Sequence, residues 1–146
     1  MNKICTSIDQ SKKLIELGID VDTADMMWDD WRLIDAEWKI SVGYDPEIEK
    51  DYGRKCYPAW SLSALMNLLP SEFTEVGKYS TTIYVIKIRK YKFTDEVNLH
   101  QIAYGSYRWY EDGGYTWSDM INTGEKEDFL DACYEMVCWL KENGKV

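Results

Sequence analysis

The sequence predicts an α+β fold: one antiparallel sheet of about four or five strands, with three helices packed mainly on one face. Three observations carry this reading. Helical runs bring their own start and stop residues, as at Ser7 and Gly18. Strand runs are rich in β-branched and aromatic residues, above all Ile83-Tyr84-Val85-Ile86. The two kinds of run follow one another without regular β-α-β alternation, which points to segregated layers and not a doubly wound sheet. At 146 residues, 45% of them hydrophobic, the chain suits a single domain over 1–146 and can bury a core without metal or disulfide staples.

The elements follow in order. Ser7 with Gln10 three residues later is a capping box, and it opens an amphipathic run through Ile8, Leu14, Ile15 and Leu17 that Gly18 stops. Asp20 to Ala24 reads as a turn leading to Met26-Met27-Trp28. Trp38 to Val42 alternates apolar and polar, a half-buried strand ended by Gly43, so a first hairpin turns around Asp35-Ala36-Glu37. Asp45 to Lys55 is charged, carries Pro46 and Gly53, and reads as a mobile surface loop. Pro58-Ala59-Trp60-Ser61 then introduces a short buried helix with Leu62, Leu65, Met66, Leu68 and Leu69, halted by Pro70. Thr81 to Tyr91 is a strand whose Lys87 and Arg89 mark an exposed face. Ile102 to Glu111 and Tyr115 to Ile121 flank Asp112-Gly113-Gly114, which predicts a hairpin with a two-residue primed turn. Phe129, Ala132, Cys133, Met136, Val137 and Leu140 fall on one helical face, giving a C-terminal helix that covers the sheet.

Composition excludes several chemistries. Seven tryptophans and eleven tyrosines stand against three phenylalanines and one histidine. Trp and Tyr have an apolar body and a polar tip, which suits sheet faces and contact surfaces. Clustered histidines and metal-spaced cysteines are absent, as is any Gly-rich phosphate loop, so no cofactor is expected. The residues after Met1 lack an apolar signal core and no membrane-length apolar run occurs, which predicts a cytoplasmic protein. There Cys5, Cys56, Cys133 and Cys138 are expected to be free thiols. The net charge of -9 is concentrated: Ile19 to Asp51 holds eleven acidic and three basic residues, whereas Tyr52 to Lys92 holds seven basic and two acidic. Direct nucleic-acid binding is disfavoured. The acidic segment reads either as a solvated face or as a site for a cationic partner.

A two-residue turn in the last hairpin puts Tyr104, Arg108, Tyr110, Tyr115, Trp117 and Ile121 on one face, and Tyr107, Trp109, Thr116 and Met120 on the other. With a helix over one face, the other exposes aromatics able to anchor a partner; the plain reading is cross-strand aromatic pairing, with Arg108 over Trp117 or paired with Asp119. Asp20, Asp22 and Asp25 fail the calcium-loop pattern, because Ala24 and Asp25 stand where an oxygen ligand and a glycine are needed. Asp29, Asp30 and Asp35 are candidates for an acidic contact surface. Cys133 and Cys138, five apart on a helix, diverge too far to ligate one metal. Cys56 could act as a nucleophile with His100 as its base, although no local motif activates it.

Three stretches resemble a known family: Leu17-Gly18-Ile19 to Thr23-Ala24-Asp25-Met26; Pro58 to Leu65 with Leu68-Leu69-Pro70; and Asp131 to Val137 with Trp139-Leu140. The family consists of small proteins of gut anaerobic bacteria, their phages and integrated mobile elements. It has no assigned activity, cofactor or catalytic residue, so the resemblance implies a setting and not a site. The expectation is a non-enzymatic accessory protein that recognises a protein partner through Tyr107, Trp109 and the segment with Asp29, Asp30 and Asp35, with a homodimer as a further possibility. Two alternatives stand beside it: an acidic decoy that mimics nucleic acid and inhibits a host defence protein, and a small enzyme using a carboxylate and His100 pocket.

Overall fold

A computed structural model describes residues 3–146, apart from the side chain of Trp109. The fold is α+β, with two antiparallel sheets. Helix α1 (Ile8–Glu16) begins on the capping box: Gln10 N–H donates to Ser7 Oγ (3.1 Å) and Ser7 N–H donates to Gln10 Oε1 (3.0 Å). Gly18, at φ 84°, takes the left-handed conformation that closes the helix. Asp20 caps a single 3-10 turn, Val21–Thr23. Strands β1 (Met26–Asp30) and β2 (Trp38–Val42) form the first hairpin, with a one-turn helix α2 (Arg32–Asp35) between them.

The segment read as a wholly irregular loop holds a short helix, α3 (Glu47–Tyr52), which Gly53 ends at φ 68°. Strand β3 (Cys56–Ala59) follows and completes a three-stranded sheet in the order β2-β1-β3. Pro58 within this segment argues against a strand in the sequence. The structure accommodates it because β3 is an edge strand, where a missing N–H breaks no ladder. Helix α4 (Leu62–Leu68) starts on Ser61, whose hydroxyl accepts from Ala64 N–H, and it buries Ala64 and Leu65 while leaving Met66 at the surface.

The second sheet has the order β4-β5-β6-β7, from Glu72–Val76, Thr81–Lys92, Asn98–Trp109 and Tyr115–Asn122. This four-stranded sheet matches the expected one. Its edge strand β4 carries two glutamates, which weakens its sequence signal. The sequence reading placed all strands in one sheet; the seven strands divide into two, and α2 and α3 add to the three expected helices.

Helix α5 (Phe129–Glu142), capped by Asp128, lies across the core face of this sheet. Leu14 of α1, Leu65 of α4, Tyr84, Ile102 and Tyr104 of the sheet, and Leu130, Cys133, Met136, Val137 and Leu140 of α5 form one cluster. Each large apolar side chain removed from water there contributes about 1.5–3 kcal/mol. Cys133 is fully buried and Cys138 lies at the flank; all four cysteines are free thiols. The segment Cys5–Thr6 joins the layers. Thr6 N–H donates to Trp60 O (2.9 Å), Thr6 Oγ1 accepts from Trp60 N–H (3.1 Å), and Trp28 Nε1 donates to Thr6 O (2.8 Å). Among the described residues no helix is long and apolar enough to cross a membrane.

Candidate recognition surfaces

The face of the four-stranded sheet that points away from α5 is set by the register of its strands. Asp112-Gly113-Gly114 forms the hairpin as expected, but with a three-residue turn: Gly113 N–H donates to Tyr110 O (3.0 Å), Gly113 adopts φ 85°, and Tyr110 N–H donates to Gly114 O (2.8 Å). The turn therefore pairs Trp109 with Tyr115 and Tyr107 with Trp117. A bulge between Tyr104 and Gly105 then returns Ile121 to the core side, opposite Tyr104. The expected division of faces is thus corrected. Tyr115 and Trp117 share a face with Tyr107, not with Tyr104 and Ile121.

On that face the Tyr107 ring meets Tyr115 and Trp117 edge-on, with centroids 5.1 and 4.8 Å apart. Tyr107 is 44% exposed and Tyr115 57%. Ile83 and Val76, on the same side of β5 and β4, are 52% and 83% exposed. Apolar side chains thus meet solvent from β4 to β7. Trp109 occupies the register position next to Tyr107 on this face, and its side chain lies outside the described residues.

A polar strip flanks the aromatic cluster. Arg89 makes a two-pronged contact with Asp119, and the Trp117 indole N–H donates to the same carboxylate. The Arg89 hydrogen bond foremost, with Trp117, holds the Asp119 carboxyl below the usual carboxylate range. Lys87 sits over the Trp117 ring at 5.0 Å. Arg108, expected at Trp117 or Asp119, lies instead over Tyr110 at 5.9 Å, because the longer turn carries Trp117 and Asp119 to the other face of the sheet.

The acidic candidates are internally paired. Asp29 is only 6% exposed and accepts from Arg54 Nε (3.0 Å) and Nη2 (3.1 Å) and from Trp31 Nε1 (2.8 Å). The Arg54 hydrogen bond outweighs burial and holds its carboxyl low. Asp30 takes a bidentate contact from Arg32, both bonds 2.8 Å, which brings it down to about 2. Asp35 pairs with Lys39. Trp31 is flanked by Lys39 and Arg54, at 4.7 and 4.5 Å from its ring. Asp29 is therefore corrected from a contact residue to the anchor of a buried ion pair, and the three carboxylates do not present the array of unpaired charge that a nucleic-acid mimic needs.

His100 lines a groove of about 410 Å³ with Glu96, Glu127 and Asp128. Its ring stacks on Phe129 at 5.4 Å, while Asp128 caps α5 through Leu130 N–H and holds Lys3 N–H at 2.7 Å. Cys56 is not part of this groove. Its thiol lies beside Asp29 in the three-stranded sheet, and burial, then the Asp29 charge, push it up to about 11. That corrects the pairing of Cys56 with His100, since a protonated thiol in another sheet is no activated nucleophile. Among the described residues no group of three or more His, Cys, Asp or Glu is placed to hold a metal ion.

No family model matches the chain, and neither does a curated protein or a solved structure.

Sequence reasoning missed Lys87, Arg89 and Gly105 as partners of the aromatic cluster, and gave Asp119 to Arg108 where Arg89 holds it. Gly105 had a usable signal, because glycine inside a strand marks a bulge or the close approach of another group.

Proposed function

We propose that this chain is an accessory protein that acts by recognition and not by catalysis, binding a protein partner through the uncovered face of its four-stranded sheet. The observation that carries this reading is the cluster of Tyr107, Tyr115 and Trp117 on a sheet face that α5 does not cover. Exposed aromatic clusters with a polar rim are the usual anchors of protein interfaces, because a rigid ring loses little conformational entropy on binding. Arg89 and Asp119 form that rim, and Lys87 brings a cation to its edge. The polar rim would set register while the rings supply buried area. A cytoplasmic setting, and a mobile-element or phage origin, belong to the same proposal; the latter rests on the three resembling segments.

The test is capture of partners from cell lysate by tagged wild type and by a Tyr107→Ser/Tyr115→Ser variant, with hydrodynamic size measured for both. A protein retained by wild type and lost by the variant, at unchanged melting temperature, is the expected result. A partner held equally by both would overturn the reading. So would a homodimer as the sole complex of the wild type.

A further inference from the structure

A groove on the three-stranded sheet has a different chemistry from the sheet face described above. Trp28 stands opposite Tyr57 on β3, and Asp30, two residues on, stands opposite Trp38 on β2, so Trp28, Trp38 and Tyr57 share one side of the sheet. The first turn of α1 forms the other wall through Ile8 and Asp9. The space between is about 560 Å³, within the range of small-molecule sites. Trp38 and Tyr57 meet at 49° with centroids 5.8 Å apart. Trp28 is pinned by its indole N–H on Thr6 O.

Cations converge on the same groove. Lys12 sits over the Tyr57 ring at 5.0 Å and Arg32 over Trp38 at 4.8 Å, and Lys55 lines the wall beside them. Arg32 is bound to Asp30. Lys12 and Lys55 belong to none of the ion pairs among the described residues, although Lys55 lies near enough to Asp30 to favour its charged form. That is notable in a chain with 26 acidic and 17 basic side chains. Asp9, at the rim, leaves the groove with a modest excess of positive charge.

The ligand these features fit is small, flat on one side and anionic at one end. A long polyanion is disfavoured by the overall charge of -9. A lone anion would leave the rings without a role, and a single neutral ring would leave the lysines without one. We propose that this groove binds a nucleoside monophosphate, with the base against Tyr57 and the Arg32 guanidinium that lies over Trp38, and the phosphate on Lys12 and Lys55. A cation over a ring at an exposed site is weakly held. A charge-assisted hydrogen bond to phosphate is stronger. Lys12, on its flexible stem, turns from the Tyr57 ring to the phosphate and uncovers that ring for the base.

The experiment is titration of the full chain with each of AMP, GMP, CMP and UMP, followed by quenching of tryptophan fluorescence and by calorimetry. The matching nucleosides, inorganic phosphate and a single-stranded oligonucleotide serve as comparison arms. Saturable binding of at least one monophosphate is expected, with its nucleoside and inorganic phosphate each at least roughly tenfold weaker, the first for want of a charge-assisted contact and the second for want of base stacking. A Lys12→Ala/Lys55→Ala variant should lose a similar factor at unchanged melting temperature, since both side chains are exposed. No saturation at millimolar monophosphate would overturn the proposal, as would equal binding by the variant. Equal affinity for inorganic phosphate, or tighter binding of the oligonucleotide, would also overturn it, the first because the rings then contribute nothing and the second because the ligand is then a polymer.

Discussion

The indole of Trp117 and the backbone carbonyl of Ser118 both lie directly on Gly105: a Cβ built at the glycine would clash first with Ser118 O and would stand 2.7 and 2.9 Å from two of the ring carbons. Only a residue without a side chain lets the ring come that close. The position of the ring in turn brings its N–H onto Asp119 and its edge against Tyr107. One glycine in the middle of β6 thus sets the geometry of the aromatic cluster three strands share with Lys87 and Arg89.

Replacing Gly105 by alanine should therefore displace Trp117 and strain the β6–β7 bulge. The expected cost is about 1–3 kcal/mol, typical of an added methyl group in a packed site. Urea unfolding measures it, and the near-ultraviolet circular dichroism of the tryptophans should change with it. An unchanged urea midpoint and spectrum would show that the ring moves aside freely and that the cluster does not depend on the glycine.

Acid should destabilise the fold through its paired carboxylates. Asp29, Asp30 and Asp119 each have a folded-state pKa below the usual carboxylate value, because Arg54, Arg32 and Arg89 respectively favour the charged form. The stability they contribute is fully present above the unfolded value of about 3.9 and is lost as the pH falls through the depressed values, toward about 2 for Asp30. Unfolding free energy should be level near neutrality and fall below about pH 4. Asp29→Asn, which leaves the Arg54 guanidinium without its counter-charge, should lower stability near neutral pH and flatten the acid limb. A variant with the same acid limb as wild type would mean that the Asp29–Arg54 pair carries none of it.

The thiols should be inert. Burial first, and the Asp29 charge second, push Cys56 up to about 11; burial and Asp25 do the same for Cys5; burial alone takes Cys133 to about 12. Iodoacetamide labelling followed by mass spectrometry at neutral pH should modify Cys56, the more accessible of these three, more slowly than free cysteine, whose thiol ionises near about 8.5. Faster labelling of Cys56 would restore it as a candidate nucleophile.

What the sequence made legible was whatever depends on neighbours along the chain. Ser7 and Gln10 signal a capping box by their spacing alone, and the six apolar residues of α5 define its buried face without reference to the sheet they meet. Contacts set by register were not legible in the same way. One residue more in the turn at Gly113 moves Tyr115 and Trp117 to the other face of the sheet, and the composition of Asp112-Gly113-Gly114 suits both turn lengths. β3 was hidden by Pro58 and β4 by Glu72 and Glu75, because edge position, which tolerates such residues, is itself a tertiary property. The acidic segment misled for a related reason. Arg54, which neutralises Asp29, lies 25 residues away, so a local count of charge took a buried ion pair for part of an acidic surface.

The order in which the chain is made acquires a meaning from the position of α5. This helix is synthesised after every strand it covers, yet Leu130, Met136, Val137 and Leu140 supply the cover for Tyr84, Ile102 and Tyr104. Lys3 finds its partners Asp128 and Asp131 only at a separation of 125 and 128 residues. A nascent chain that has reached β7 therefore carries an apolar sheet face that α5 does not yet cover, and a Lys3 whose carboxylate partners are still to come. The core of this sheet closes only once α5 has been made, and an exposed apolar face of that kind is prone to aggregation until it is covered.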